Sequence, residues 1–152
     1  MINSTTDFEY GISLELDSVE KTITLAQEFS SYLQSGDLVA FYGKLGSGKT
    51  LFIKTICKKL GIVQEATSPS FTIMNEYQTI DQQYIYHFDF YRIEKSNELQ
   101  QLGLEEFFYG DSICLVEWAD RIESFLPPNR WDISIQFMPE KPDSRTIDIT
   151  KR

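Results

Sequence analysis

Cysteine, histidine and positive charge are all scarce in this chain. Its 152 residues hold two cysteines, one histidine and 14 Lys and Arg against 23 Asp and Glu, for a formal net charge of -9. Cys57 and Cys114 sit in apolar stretches without metal-ligand spacing, so they read as reduced core residues of a cytoplasmic protein. Affinity for nucleic acid comes from neutralising phosphates with Lys and Arg, and the acidic balance excludes strong direct nucleic-acid binding by the chain alone. A local basic cluster does exist: Lys54, Lys58 and Lys59 fit either as cations at a helix C-terminus or as a docking patch. No apolar run approaches the roughly 20 residues needed to span a bilayer, and Met1 to Asp7 lacks the basic and apolar segments of a signal peptide. The expectation is a cytoplasmic protein with no membrane partner. Linkers, repeats and low-complexity tracts are also missing, so residues 1–152 read as one domain, and 41% hydrophobic content suffices for a real core.

Against these absences stands one octapeptide, Gly43-Lys44-Leu45-Gly46-Ser47-Gly48-Lys49-Thr50, which fits G-x-x-x-x-G-K-[ST] at every fixed position. Such a loop wraps an anion with backbone N–H groups, so side chains must not obstruct the approach. Gly46 and Gly48 permit the close turn, and the helix that follows points its positive end at the phosphates. Lys49 would reach the β/γ-phosphates and the Thr50 hydroxyl would hold Mg²⁺. Leu38 to Tyr42 before the loop reads as a buried strand, and Leu51 to Leu60 after it as an amphipathic helix stopped by Gly61. The expected nucleotide contacts are Gly43, Leu45, Gly46, Ser47, Gly48, Lys49, Thr50 and Leu51.

Elsewhere, Ile12 to Leu16 alternates like a short strand. Asp17 with Glu20 reads as a capping box opening a helix that runs to about Leu33 and is closed by Gly36. Phe71 to Tyr77 and Gln83 to Tyr91 read as a hairpin turning at Thr79-Ile80-Asp81-Gln82. Asn97 to Leu102 and Glu105 to Phe108 look helical, and Ser112 to Glu117 reads as a buried strand. Trp131 to Phe137 and Arg145 to Thr150 alternate and are expected to pair. The predicted fold class is α/β, a three-layer P-loop NTPase-like domain whose mixed sheet is parallel near the nucleotide site and antiparallel at the edges.

A triphosphate site needs a further carboxylate at the end of a neighbouring strand. Ile113-Cys114-Leu115-Val116-Glu117 supplies an apolar run ending in an acid, so Glu117 would serve Mg²⁺ or polarise the attacking water. Trp118 beside it fits either a base-stacking role or a generic edge aromatic. Within Tyr84 to Tyr91 the strand period places Ile85, His87, Asp89 and Tyr91 on one face. An Asp in an aromatic strand is unfavourable unless paired or functional, and Asp89 is read as facing Mg²⁺ and the γ-phosphate rather than pairing with Arg92. His87 reads as a hydrogen-bonded structural residue rather than a base. Thr67 and Ser68 lie where ATPases place switch segments, although Ser-Pro alone is also a turn.

These pieces together are similar to the bacterial TsaE (YjeE) family of small P-loop ATPases. The matching stretches are Leu45 to Thr50, Thr67 to Thr72, Asn75-Glu76-Tyr77, His87-Phe88-Asp89-Phe90-Tyr91-Arg92 and Ile113 to Trp118. They follow family order and spacing over about residues 36–121. The resemblance implies an ATPase required for threonylcarbamoyladenosine (t6A) modification of tRNA, acting with the TsaD and TsaB proteins. It further implies that Thr50 and Glu117 bind Mg²⁺, that Asp89 and Trp118 matter for ATP use, that Thr67–Ser68 is switch-like, and that Leu16 to Thr22 lies near the base. Three positions depart from the family pattern: Lys44 stands for a usual Asp, Ser70 for a usual Thr and Ala119 for a usual Pro. Lys44 reverses charge beside the phosphates or a partner surface.

Other phosphate-loop proteins fit less well. A small-molecule kinase needs an acceptor pocket and an Arg-bearing lid, whereas a hairpin with few arginines occupies that interval. A GTPase-type conformational switch would carry Asn-Lys-x-Asp, which appears nowhere, so adenine is the expected base. Intact Lys49, Thr50 and Glu117 argue against a vestigial site. With no arginine finger evident in the loop or hairpin motifs, hydrolysis by the isolated chain is expected to be slow.

Overall fold

Alternation along the central strands decides the layering. In β2 (Leu38–Tyr42), Val39 and Phe41 enter one apolar core while Leu38 and Ala40 enter another on the opposite face. The first core packs beneath α1 (Val19–Ser30) and α2 (Lys49–Lys59). The second packs against α3 (Asn97–Gln100), α4 (Leu104–Phe108) and the 3-10 helix Ala119–Phe125. A strand covered on both faces must be apolar throughout, which is why Leu38-Val39-Ala40-Phe41 shows no polar alternation. The computed structural model describes residues 8–69, 72–95 and 97–152, apart from the Glu9 side chain. The leader reading at Met1 to Asp7, the departure at Ser70 and the strand start at Phe71 lie outside the described residues.

Seven strands form one sheet in the order β1-β7-β6-β2-β5-β4-β3, with β1 at Ile12–Leu16, β3 at Met74–Gln78, β4 at Tyr84–Asp89, β5 at Ile113–Glu117, β6 at Trp131–Phe137 and β7 at Arg145–Lys151. The four inner strands β6, β2, β5 and β4 run parallel, and β1, β7 and β3 add antiparallel edges. The fold is thus the α/β mixed sheet read from the sequence. Parallel strands end on one side of a sheet, so the residues after β2, β4 and β5 share one edge. The register is specific: Phe41 pairs with Glu117, and Glu117 with Asp89.

Several element boundaries differ from the sequence reading. The cap of α1 is Ser18, not Asp17: its side chain accepts from the Lys21 amide at 3.2 Å, while Asp17 forms an i,i+4 ion pair with Lys21 at 2.8 Å. The helix ends at Ser30 because Ser30 and Ser31 hydroxyls turn back onto the Gln27 and Glu28 carbonyls. The chain then continues in tighter turns through Leu33. β3 starts at Met74, since Ile73 before it is left-handed (φ 68) and breaks an extended run. β4 stops at Asp89, whose side chain accepts from the Tyr91 amide and turns the chain. The helix read over 97–102 is the single turn α3.

The α2 stripe of Phe52, Ile53, Ile56 and Cys57 is fully buried. Removing a ring such as Phe52 from that interface costs about 3–5 kcal/mol. This packing anchors the helix whose first turn faces the site. Both cysteines are buried and free, and burial pushes their thiols up to about 12.

Candidate functional site

The loop between β2 and α2 opens onto a cavity of about 470 Å³. Three of its glycines are left-handed: Gly43 (φ 154), Gly46 (φ 81) and Gly48 (φ 111). A Cβ on Gly43 would meet the Ile135 carbonyl at 2.5 Å and Ser47 Oγ at 2.6 Å, so that position has no room for one. Gly48 caps α2, and Lys49, Thr50 and Leu51 of its first turn line the cavity together with Leu45, Gly46 and Ser47. Gly43 is not on the cavity wall; it backs the loop, and its carbonyl accepts from Lys49 Nζ. Lys44, the family departure, does line the cavity.

Lys49 is buried, and loss of water pushes its ammonium below the usual lysine range. The carboxylates of Glu117, Asp120 and Asp89 oppose that shift. Its Nζ also sits 3.8 Å from the centroid of the Trp118 ring. Trp118 is itself left-handed (φ 58), which turns the chain sharply off β5 and lays the indole on the cavity wall beside Tyr91, ring centroids 4.9 Å apart.

Glu117 is 2% exposed and fully engaged: Thr50 Oγ1 donates to Oε1 at 2.8 Å, and His87 Nε2 lies 2.8 Å from Oε2. A buried carboxylate requires such partners. Asp89, next in the register, lines the same cavity. Burial raises its carboxyl above the usual range, the Tyr91 amide bond opposes the rise and the Glu117 charge adds to it. His87, 0% exposed, bridges Glu117 and the Tyr77 hydroxyl, as expected of a structural histidine. Ser68 lines the cavity, whereas Thr67 is held beside it by backbone bonds to Tyr77 and Asn75.

Thus the predicted residues of the loop, the β4 and β5 ends and Ser68 converge on one cavity, with Gly43 and Thr67 just behind its wall. Residues 16–22 do not line it. Leu16 is nevertheless in register with Arg145, which reaches the loop from β7. Arg145 and the cavity-wall residue Ile73 escaped the sequence reading, and Tyr91 and Arg92, named there as neighbours of Asp89, were not assigned to the site although they line the cavity. Arg145 Nε donates to the Ser47 carbonyl at 2.8 Å, and its guanidinium lies 5.1 Å from the centroid of the Phe137 ring. Alternation marks β7 as a strand, but a contact across 98 residues leaves no local signal.

Among the described residues no group of three or more His, Cys, Asp and Glu could hold a metal alone. A hydroxyl and a carboxylate side by side, next to a loop of the phosphate-binding sequence pattern, suit Mg²⁺, which takes few protein ligands and completes its shell with phosphates and water. No helix among the described residues is long and apolar enough to cross a membrane.

Comparison with known proteins gives a consistent result. The family model described as threonylcarbamoyl adenosine biosynthesis protein TsaE matches residues 16–147. The chain is 40% identical over 131 residues to the Bacillus subtilis tRNA threonylcarbamoyladenosine biosynthesis protein TsaE, covering 86% of this chain and 80% of that one. The Rickettsia bellii protein of the same name is 34% identical over 136 residues, covering 89% and 92%. Among solved structures, Bacillus subtilis YdiB superposes with a TM-score of 0.72 at 33% identity, over 91% of this chain and 84% of that one.

Proposed function

The chain belongs to the TsaE family, and from that premise we propose that it is a Mg²⁺-dependent ATPase serving threonylcarbamoyladenosine modification of tRNA. The observation that carries this reading is the 2.8 Å contact between the Thr50 hydroxyl and the Glu117 carboxylate, set directly under the phosphate loop. Thr50 and Glu117 would hold Mg²⁺, which neutralises phosphate charge when bound. The loop amides and Lys49 bind and orient the triphosphate, whose charge compensates the ammonium that burial disfavours. Asp89 faces the γ-phosphate side, where it can orient a water. Trp118 and Tyr91 wall the cavity.

In this reading the chain works with TsaD and TsaB in the cytoplasm, and those partners supply the tRNA-binding charge that a net -9 chain lacks. Hydrolysis by the isolated chain is slow because the loop and hairpin strands carry no arginine. Arg92, just beyond β4, lines the cavity and is the residue whose removal tests that point.

The deciding measurement is ATP turnover by the purified chain, alone and with the TsaD–TsaB pair, beside a panel of small-molecule phosphate acceptors. Stimulation by the pair is expected. Fast turnover without partners would remove the partner dependence, and phosphoryl transfer to an acceptor would make the protein a kinase.

A further inference from the structure

The buried residues beneath the cavity form a continuous line, of which the proposed chemistry uses only the first two members, Thr50 and Glu117. It runs from Thr50 Oγ1 to Glu117 (2.8 Å), from Glu117 to His87 Nε2 (2.8 Å) and from His87 Nδ1 to the Tyr77 hydroxyl (3.2 Å). The Tyr77 hydroxyl then meets the Thr67 carbonyl at 2.7 Å and its amide at 3.0 Å. Asn75 Nδ2 reinforces the end by donating to the Thr67 carbonyl at 3.0 Å. The line crosses α2, β5, β4 and β3 and ends on the segment after α2, whose next residue, Ser68, lines the cavity.

We propose that His87 and Tyr77 are positioning residues that join the Glu117 carboxylate to the Thr67 backbone, so that the metal side of the site and the switch-like segment keep one register. The inference rests on the reading of Glu117 as the metal-side carboxylate. A phenol and an imidazole, 3% and 0% exposed, are a costly filling for a site that apolar rings would pack equally well. They are tolerable only because every polar atom of the line meets the next one. Both ring nitrogens of His87 are engaged, one toward the carboxylate and one toward the switch-like segment, so the side chain is a bridge and not a terminal partner. The rest of the segment is held separately: Val63 N donates to the Gln78 carbonyl at 2.9 Å along the β3 edge, leaving Thr67 dependent on Tyr77 and Asn75. A shift of the Glu117 carboxylate therefore reaches Ser68 through two side chains that touch no nucleotide.

Two variants of the full chain, each read at the far end of the line, test this. His87→Gln keeps a side-chain donor toward Glu117 and loses the bond to Tyr77. In the protein without nucleotide, amide hydrogen exchange at Thr67 is expected to accelerate about five- to tenfold, with exchange in β6 and β7 unchanged. Tyr77→Phe keeps the ring and touches neither Thr50 nor Glu117. It is expected to raise the Mg²⁺ concentration for half-maximal turnover several-fold, with nucleotide affinity in EDTA unchanged. Wild-type exchange at Thr67 in His87→Gln, or a wild-type Mg²⁺ requirement in Tyr77→Phe, would overturn the proposal. Should His87→Gln fail to fold, Tyr77→Phe carries the same decision. Absence of ATP turnover by the unaltered chain with its partners would count against the reading of the site instead, and Thr67 exchange would still decide the relay.

Discussion

Arg145 is the sharpest test of how the phosphate loop is held. Its Nε donates to the Ser47 carbonyl at 2.8 Å, while Nη1 donates to the carbonyls of Pro142 at 2.6 Å and Ser144 at 2.8 Å. The guanidinium thus fastens the loop to the start of β7 from behind, away from the cavity. A hydrogen bond from a charged group is worth about 1.5–3 kcal/mol net, and a half-buried arginine sits at the low end of that range. Arg145→Gln removes the charge and the planar fork, so about 1.5 kcal/mol of support for the loop is lost. A chain of this size then melts roughly 3–6 °C lower. If the clamp pre-orders the loop, the same energy must be found on binding, and affinity for a fluorescent ATP analogue falls about tenfold. Turnover at saturating ATP stays near wild type, because the support is equal in ground and transition states. Arg145→Lys keeps the charge but offers no fork to three carbonyls, and should fall between the two. A lower melting temperature with ATP affinity within about twofold of wild type would refute the reasoning: the loop would be rigid without its clamp.

Lys49→Ala is expected to weaken ATP binding about a hundredfold, whereas Glu117→Gln should leave binding and cut Mg²⁺-dependent turnover about a hundredfold; paired binding and turnover assays separate the two. Asp89→Asn should lower turnover yet stabilise the fold at neutral pH. Burial raises the folded pKa of Asp89 above that of an ordinary aspartate, so its ionised form costs stability at any pH above the folded pKa. That cost shrinks as pH falls through the folded pKa and is gone below the ordinary aspartate range; melting curves of both proteins across acid pH should converge there. Gly43→Ala drives a Cβ onto the Ile135 carbonyl at 2.5 Å and should cost about 3 kcal/mol. Gly46→Ala meets nothing within 4 Å and should pay only left-handed strain of about 1 kcal/mol. Equal melting temperatures for the two alanine variants would contradict this.

The residues that gather around the candidate site were largely legible because they lie in local runs. A phosphate loop is contiguous, and the apolar strand Ile113 to Val116 announces where Glu117 must emerge. Asp89 was legible for the opposite reason, as a charge out of place among aromatics. Arg145 was not, because it acts across 98 residues, and the role of Tyr77 was not, although its motif was: each acts through a backbone carbonyl or amide, which any residue type supplies. Boundaries drifted where side chains competed with the backbone: Ser18 took the cap that Asp17 gave up by pairing with Lys21, and Ser30 and Ser31 ended α1 early. The left-handed turn at Ile73 is unexpected for a β-branched residue, and no composition rule predicts it.

The geometry of the site reduces to one question of register. β5 is apolar on both faces, so inside–outside alternation cannot tell one alignment with β4 from a neighbouring one. Its tail can. In the observed register Leu115 and Glu117 share the face of α2, where Thr50 and His87 complete the carboxylate, while Cys114 and Val116 fill the opposite core. A slip by one residue would turn Glu117 into the second core among Phe88 and Phe90. It would strand the His87 imidazole against an apolar side chain, and two buried polar groups would go unpaired at several kcal/mol. The same slip would move Asp89 out of line with Glu117 and the strand end away from the phosphate loop. The bonds that complete the carboxylate are therefore also those that align β5 with β4 and β2, and a chain folded in any other register would have neither.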